Sequence, residues 1–138
     1  MLYKMNKEID PSDVVDAVHA AHDAGLKVKL SFIVGFPGES WKSIEQTADL
    51  MRKAKPDEIS LFPFVPFPGT PVFQKPERFG IIWMSRDWSA YRALDRYRRP
   101  WFCYETEDLD LNTLYRMYDF LDKVRKEVIG CVSGPSTN

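Results

Sequence analysis

Leu30-Ser31-Phe32-Ile33-Val34-Gly35-Phe36-Pro37-Gly38-Glu39-Ser40 is the stretch on which the fold turns. Its first five residues end a run, Lys27 to Val34, that begins with polar and apolar residues alternating and ends continuously apolar, the pattern of a strand entering a covered sheet. Gly35 ends the run. Pro37-Gly38 then supplies the two central residues of a type II turn, and Ser40 is placed to cap a helix reaching about Lys55, with Ile44, Ala48 and Met51 toward the core.

The flanking sequence fits the same plan. Upstream, Asp10 is a capping residue and Pro11 suits the first helical position, and Val14, Val18 and Ala21 keep helical spacing until Gly25 stops the helix. Downstream, Glu58 to Phe62 forms a second strand that runs into Pro63, whose missing donor predicts an early strand end or a bulge. The order helix, strand, helix, strand predicts an α/β fold, a partial (β/α) TIM-type barrel segment. The strand-to-loop text also repeats: Leu30 to Gly38 lies over Leu61 to Gly69 at an offset of 31, about one strand-plus-helix unit. Both copies fall where a parallel strand ends, the edge at which such folds bind ligands, and so mark a functional rim.

Beyond Gly69 the composition shifts. Phe73 to Tyr104 reads as an irregular, aromatic-rich stretch that covers the sheet or carries substrate contacts, with a short helix expected over Asp87 to Arg96. From Asp110 onward, Leu111, Leu114, Tyr118, Leu121, Val124 and Val128 share one face of an amphipathic helix that docks on the sheet layer. The expected division is 1–75 for the barrel-like part, 76–130 for an extension that is irregular and then helical, and 131–138 for a disordered tail.

Composition narrows the function. The 138 residues carry 19 basic and 20 acidic side chains, a net charge of −1, which excludes a strongly basic nucleic-acid binder and an acidic disordered tail. A single chain of this length buries roughly 68% of its unfolded surface. No apolar run approaches the ~20 residues of a membrane span, and no leader pattern follows Met1, so the expected location is cytoplasmic. Cys103 and Cys131 stand 28 positions apart and suggest two reduced thiols rather than a disulfide framework or a zinc site.

Three further features have both a chemical and a structural reading. Between Trp83 and Trp101, Arg86, Arg92, Arg96, Arg98 and Arg99 stand among Trp88, Tyr91 and Tyr97, a combination able to contact RNA. Glu105, Glu107, Asp108 and Asp110 follow at once, so an internal salt-bridge network is the plainer reading. His19 and His22 have helical spacing suited to two metal ligands, yet no third ligand cluster appears and a solvated flank is expected. Pro63-Phe64-Val65-Pro66 fits PxxP but is flanked by apolar residues, and reads as rim structure.

The Ile33-Val34-Gly35-Phe36-Pro37-Gly38-Glu39-Ser40 segment, with Pro56 to Phe64 and Pro66-Phe67-Pro68-Gly69-Thr70-Pro71, resembles the C-terminal half of the catalytic barrel of radical S-adenosylmethionine (SAM) enzymes. It is most similar to the Fe-S oxidoreductases that often carry a cobalamin-binding (B12) domain ahead of the barrel. In that family the fifth strand bears a Gly-x-Ile-x-Gly-x-x-Glu pattern behind the adenine of S-adenosylmethionine. Ile33 and Gly35 match it, Ser31 replaces the first glycine, Gly38 takes the glutamate position and Glu39 falls one residue late. The resemblance implies that Ile33, Val34 and Gly35 pack on adenine while Leu61, Phe62 and Pro63 line its other side.

The family also holds a [4Fe-4S] cluster with a Cys-x3-Cys-x2-Cys loop, and neither Cys103 nor Cys131 has that setting. The expectation is therefore a fragment of a radical SAM enzyme, lacking the cluster, inactive alone, and without a catalytic or metal residue of its own. Its parent would use S-adenosylmethionine and [4Fe-4S], with cobalamin bound by a preceding domain, in oxidoreductase, methyl-transfer or methylthio-transfer chemistry. The expected partners are the missing N-terminal barrel half and, through exposed strand edges, further copies of the chain. Against this stand two other classes: a cluster-free binding or assembly module, and an RNA-contacting domain using residues 83–101.

Overall fold

The computed structural model describes residues 9–92, 94 and 99–132, with Cys131 and Val132 described by backbone alone. The first helix, α1, spans Pro11–Asp23, and Asp10 caps it by accepting from the Ser12 amide. The chain turns at Gly25, whose φ of 75° suits glycine, and enters β1, Lys29–Val34. Helix α2, Trp41–Ala54, starts with a reciprocal cap in which Ser40 and Ser43 each accept from the other's backbone amide. Strand β2, Glu58–Pro63, then pairs in parallel with β1 and in unbroken register, from Lys29 opposite Glu58 to Val34 opposite Pro63. Pro63 occupies the last position of β2, where the missing donor interrupts little, and the Phe64 amide resumes the ladder by donating to the Val34 carbonyl at 2.7 Å.

His22 is part of this framework. Its Nε2 lies 3.0 Å from Asp57 Oδ2, which also accepts from the Val28 amide at 2.7 Å, so one carboxylate ties the end of α1 to the starts of both strands. These bonds hold Asp57 below the usual carboxylate range, with the Val28 amide the largest cause. His19 is exposed, and no metal-binding group of three or more ligand residues forms among the described residues.

After Gly69 come a four-residue helix, α3 (Pro71–Gln74), a 3-10 turn at Pro76–Phe79, and strand β3, Ile81–Met84. A second 3-10 turn, Trp88–Ala90, precedes β4, Tyr104–Thr106, which pairs antiparallel with β3 across a bulge. This small sheet corrects the expectation of a stretch with no strands. The helix expected over Asp87 to Arg96 also needs correction: Asp87 caps a turn of only three residues, and Tyr91 then leaves helical geometry, its hydroxyl donating to the Ser85 carbonyl. Residues 93 and 95–98, including Arg96, Tyr97 and Arg98, lie outside the described residues.

Helix α4, Leu111–Val132, closes the fold. Asp110 accepts from the Thr113 amide and Glu105 from the Leu111 amide, so two of the acids expected to neutralise the arginines hold the helix start instead. Leu114, Met117, Leu121 and Val124 are buried with Val34, Ile44, Met51, Ile59 and Leu61 in one core. Residues of β1, α2 and β2 and residues of α4 thus share the main apolar cluster. Helix α4 runs through Cys131 and Val132, where the sequence predicts the start of a tail; residues 133–138 lie outside the described residues.

Candidate functional site

Two parallel strands in register bring their C-terminal ends level, and the pleat sorts the six rim residues onto two faces. Ile33 and Phe62 are register partners and stay 38% and 36% exposed on the face away from the core. Ser31 and Ser60, two positions back, share that face. Val34 and Leu61 point the other way into the main core, and Pro63 is buried opposite Val34. A flat ligand on the open face therefore meets Ile33 and Phe62, with Val34, Leu61 and Pro63 behind the sheet.

Gly35 is buried as well, and its neighbours come from the extension. At a φ of 88°, an added Cβ would lie 2.8 Å from Leu114 Cδ2, 2.9 Å from Phe102 Cε1 and 3.3 Å from Tyr104 Oη. The resemblance implies that this glycine packs on adenine. On the Cβ side the space is taken by the chain itself, because Phe102 and Tyr104 near β4 and Leu114 on α4 close over the strand end.

The turn that follows is built as the sequence predicts. Gly38 has a φ of 87°, and the Glu39 amide donates to the Phe36 carbonyl at 2.9 Å. Glu39 then folds back beneath the turn, 4% exposed, and accepts from the Gly35 amide at 2.5 Å. Burial pushes its carboxyl up to about 7, against the opposing pull of that amide. Tyr104 is fully buried, its ring edge-on to Phe64, and its hydroxyl has no hydrogen-bond partner. Burial first, and then the charges of Glu39 and Cys103, push this phenol well above its ordinary value.

The remaining candidates separate by environment. Cys103 is 1% exposed and burial pushes its thiol up to about 11, so it is a poor nucleophile at neutral pH. Arg92 lies over the Trp101 ring, and Trp88 stacks on Phe73 while remaining largely exposed. An open cleft of about 390 Å³ runs between Pro37 and Gly38 on the rim and Arg78, Thr106 and Glu107 of the extension. An apolar groove of about 310 Å³ lies along α1 and β1, lined by Val14, Val18, Val28 and Leu30. No helix among the described residues is long and apolar enough to cross a membrane.

Comparison with known proteins finds a family match and several relatives. Residues 2–51 match the Radical SAM superfamily. The matched span contains α1, β1, the Pro-Gly turn and most of α2. An uncharacterized protein of Methanocaldococcus jannaschii is 35% identical over 91 residues, 66% of this chain and 25% of that protein. An uncharacterized methyltransferase of Pyrococcus horikoshii is 30% identical over 91 residues, 66% of this chain and 20% of its own length. A tRNA-2-methylthio-N(6)-dimethylallyladenosine synthase of Rickettsia akari is 38% identical over 73 residues, 51% of this chain and 16% of the enzyme. The chain spans a quarter or less of the length of these relatives. Together the matches support radical SAM membership.

Phe102 and Tyr104 are the site residues that the sequence did not single out, and Glu39 enters there only as a late match to the family's glutamate, not as a buried group. For Glu39 a signal exists, since an acid directly after Pro-Gly and before a helix cap is placed to reach back to the strand-end amide. Phe102 and Tyr104 carry none, because their contact with Gly35 spans more than 65 positions of chain.

Proposed function

We propose that this chain forms the adenine-facing wall of the S-adenosylmethionine site in a radical SAM enzyme. The observation that carries the reading is the pair Ile33 and Phe62, side by side and half-open at the C-terminal end of parallel strands, immediately before the rigid turn in the matched span. Two apolar side chains on a pleated face suit one face of a purine, and the backbone groups at the strand ends suit its edge. Val34, Leu61 and Pro63 support this wall from behind.

The residues present do not fit the iron-sulfur cluster. A cluster held by three cysteines needs three thiolates in one loop, whereas the chain has two cysteines, and Cys103 is buried with its thiol pushed up. No step through the cluster is assigned to this chain, and electron delivery belongs to the rest of the whole protein. The names of the Pyrococcus and Rickettsia relatives support methyl or methylthio transfer as the reaction class of that whole protein. A preceding cobalamin domain is part of the same proposal.

Saturation-transfer NMR of adenosine and S-adenosylhomocysteine with this chain tests the reading. Transfer should be strongest at the adenine protons and should disappear in Ile33→Asp and Phe62→Asp. Absence of transfer with the wild-type chain, or transfer unaffected by both substitutions, would overturn it.

A further inference from the structure

The cleft between the rim and the extension has walls whose backbones are each held by hydrogen bonds. The Pro37-Gly38 turn is closed by the Glu39 amide donating to the Phe36 carbonyl at 2.9 Å. Facing it, Arg78 and Phe79 end the 3-10 turn Pro76–Phe79, where the Gly80 amide donates back to the Glu77 carbonyl at 3.2 Å. Glu107 and Asp108 form the tip of a two-residue loop across which Thr106 and Leu109 exchange amide-to-carbonyl bonds at 3.0 and 3.3 Å. The Glu107 amide also donates to the Gly80 carbonyl at 3.2 Å, so the acidic loop and the arginine turn are tied through the main chain.

Elsewhere on the surface, neighbouring opposite charges close on one another: Lys29 on Glu58 at 3.4 Å and Arg125 on Asp122 at 2.6 Å. Across the cleft they stay apart, and no ion pair joins Arg78 to Glu107 or to Asp108. The opening of about 390 Å³ that these side chains line is within the range of small-ligand sites. Its lining carries one positive and two negative charges, so the complementary guest carries the reverse.

We propose that this cleft binds a cationic amino acid. The guest's carboxylate meets the Arg78 guanidinium, its two ammonium groups meet Glu107 and Asp108, and its methylene chain lies along Pro37 and Phe79. Because the walls are fixed by backbone bonds before anything enters, the charges are held ready for such a guest at little ordering cost. That the guest is the substrate of the whole enzyme rests on the function proposed above, whereas its binding does not.

Amide NMR of the intact chain tests this, following the Gly38 and Gly80 signals during titration with L-lysine, L-norleucine, cadaverine and ε-aminocaproate. Each of the last three lacks one of lysine's charged groups. Lysine should bind tightest, and each missing group should weaken binding about threefold, the scale of one exposed ion pair. Arg78→Gln should weaken lysine and leave cadaverine unchanged, since the diamine has no carboxylate. Glu107→Gln and Asp108→Asn should weaken both. All three side chains are exposed, so these substitutions put no core contact at risk. Norleucine binding as tightly as lysine, an equal effect of Arg78→Gln on lysine and cadaverine, or lysine leaving both glycine signals unmoved would each overturn the proposal. Adenosine separates the two readings: lysine binding in a chain that does not bind adenosine keeps the cleft and removes the adenine wall, and adenosine binding without lysine does the reverse.

Discussion

Phe36-Pro37-Gly38 and Phe67-Pro68-Gly69 are the same three residues at the ends of adjacent strands, yet one turn is built into the interior and the other stands in solvent. Their backbones agree closely. Gly38 and Gly69 both have a φ of 87°, and the residue after each glycine donates its amide to the phenylalanine carbonyl, at 2.9 and 3.2 Å. Each turn leads into a capped helix, through Ser40 and Thr70 respectively. The surroundings differ: Phe36 is 6% exposed and edge-on to Phe64, whereas Phe67 is 52% exposed. After the glycines stand Glu39, folded inward to the Gly35 amide, and Thr70, whose hydroxyl donates to Phe67 and accepts from Phe73. Local sequence thus sets the turn, and the extension decides which copy becomes part of the core.

The largest way to break the comparison is at the glycines. Gly35→Ala adds a left-handed strain of roughly 1–2 kcal/mol to overpacking of about 1–3 kcal/mol against Leu114 and Phe102, and urea unfolding should show a loss of about 3 kcal/mol. Gly69→Ala meets nothing within 4 Å and should lose only the conformational part, about 1 kcal/mol. Equal losses would mean that the extension does not press on the first turn.

Next is pH. Glu39 has its carboxyl raised from 4.5 to about 7, so between those values the native state holds a proton that the unfolded chain has released. Its contribution is therefore fully present below pH 4.5 and lost as pH rises through 7, on the order of 3 kcal/mol across the window. Thermal unfolding against pH should show that downward slope in the wild type and a flatter profile in Glu39→Gln. Thr70 carries no such charge, and Thr70→Ala should cost about 1 kcal/mol for the lost cap at every pH. The smallest effect is expected at Phe67: Phe67→Ser should change stability by about 0.5 kcal/mol or less in the same melts, since its ring is largely in water.

The helix-strand-helix-strand order was legible because each element carries its own punctuation: Asp10 and Ser40 as caps, Gly25 and Pro37-Gly38 as turns. The division of the rim into two faces was legible too, from the period of two, which separates Ile33 from Val34, whereas the resemblance implies one contact surface for Ile33, Val34 and Gly35. Strands β3 and β4 escaped because Ile81 to Met84 does not alternate and Tyr104 to Thr106 is too short to show a period. The burial of Glu39 was not legible in its neighbourhood, since the cover comes from residues 102–114. The acids following the arginine-rich stretch looked like its counterions, and the roles of Glu105 and Asp110 at the start of α4 depended on where that helix begins.

Cys103 gives the extension a clock. Its thiol is 1% exposed and packs in a cluster with Val65, Val72, Ile81, Ala90 and its chain neighbour Tyr104, so an alkylating reagent reaches it only when that packing opens. In a Cys131→Ser background, the rate of Cys103 labelling would count those openings directly. Plotted against reagent concentration, it would separate how often the cluster opens from how long it stays open.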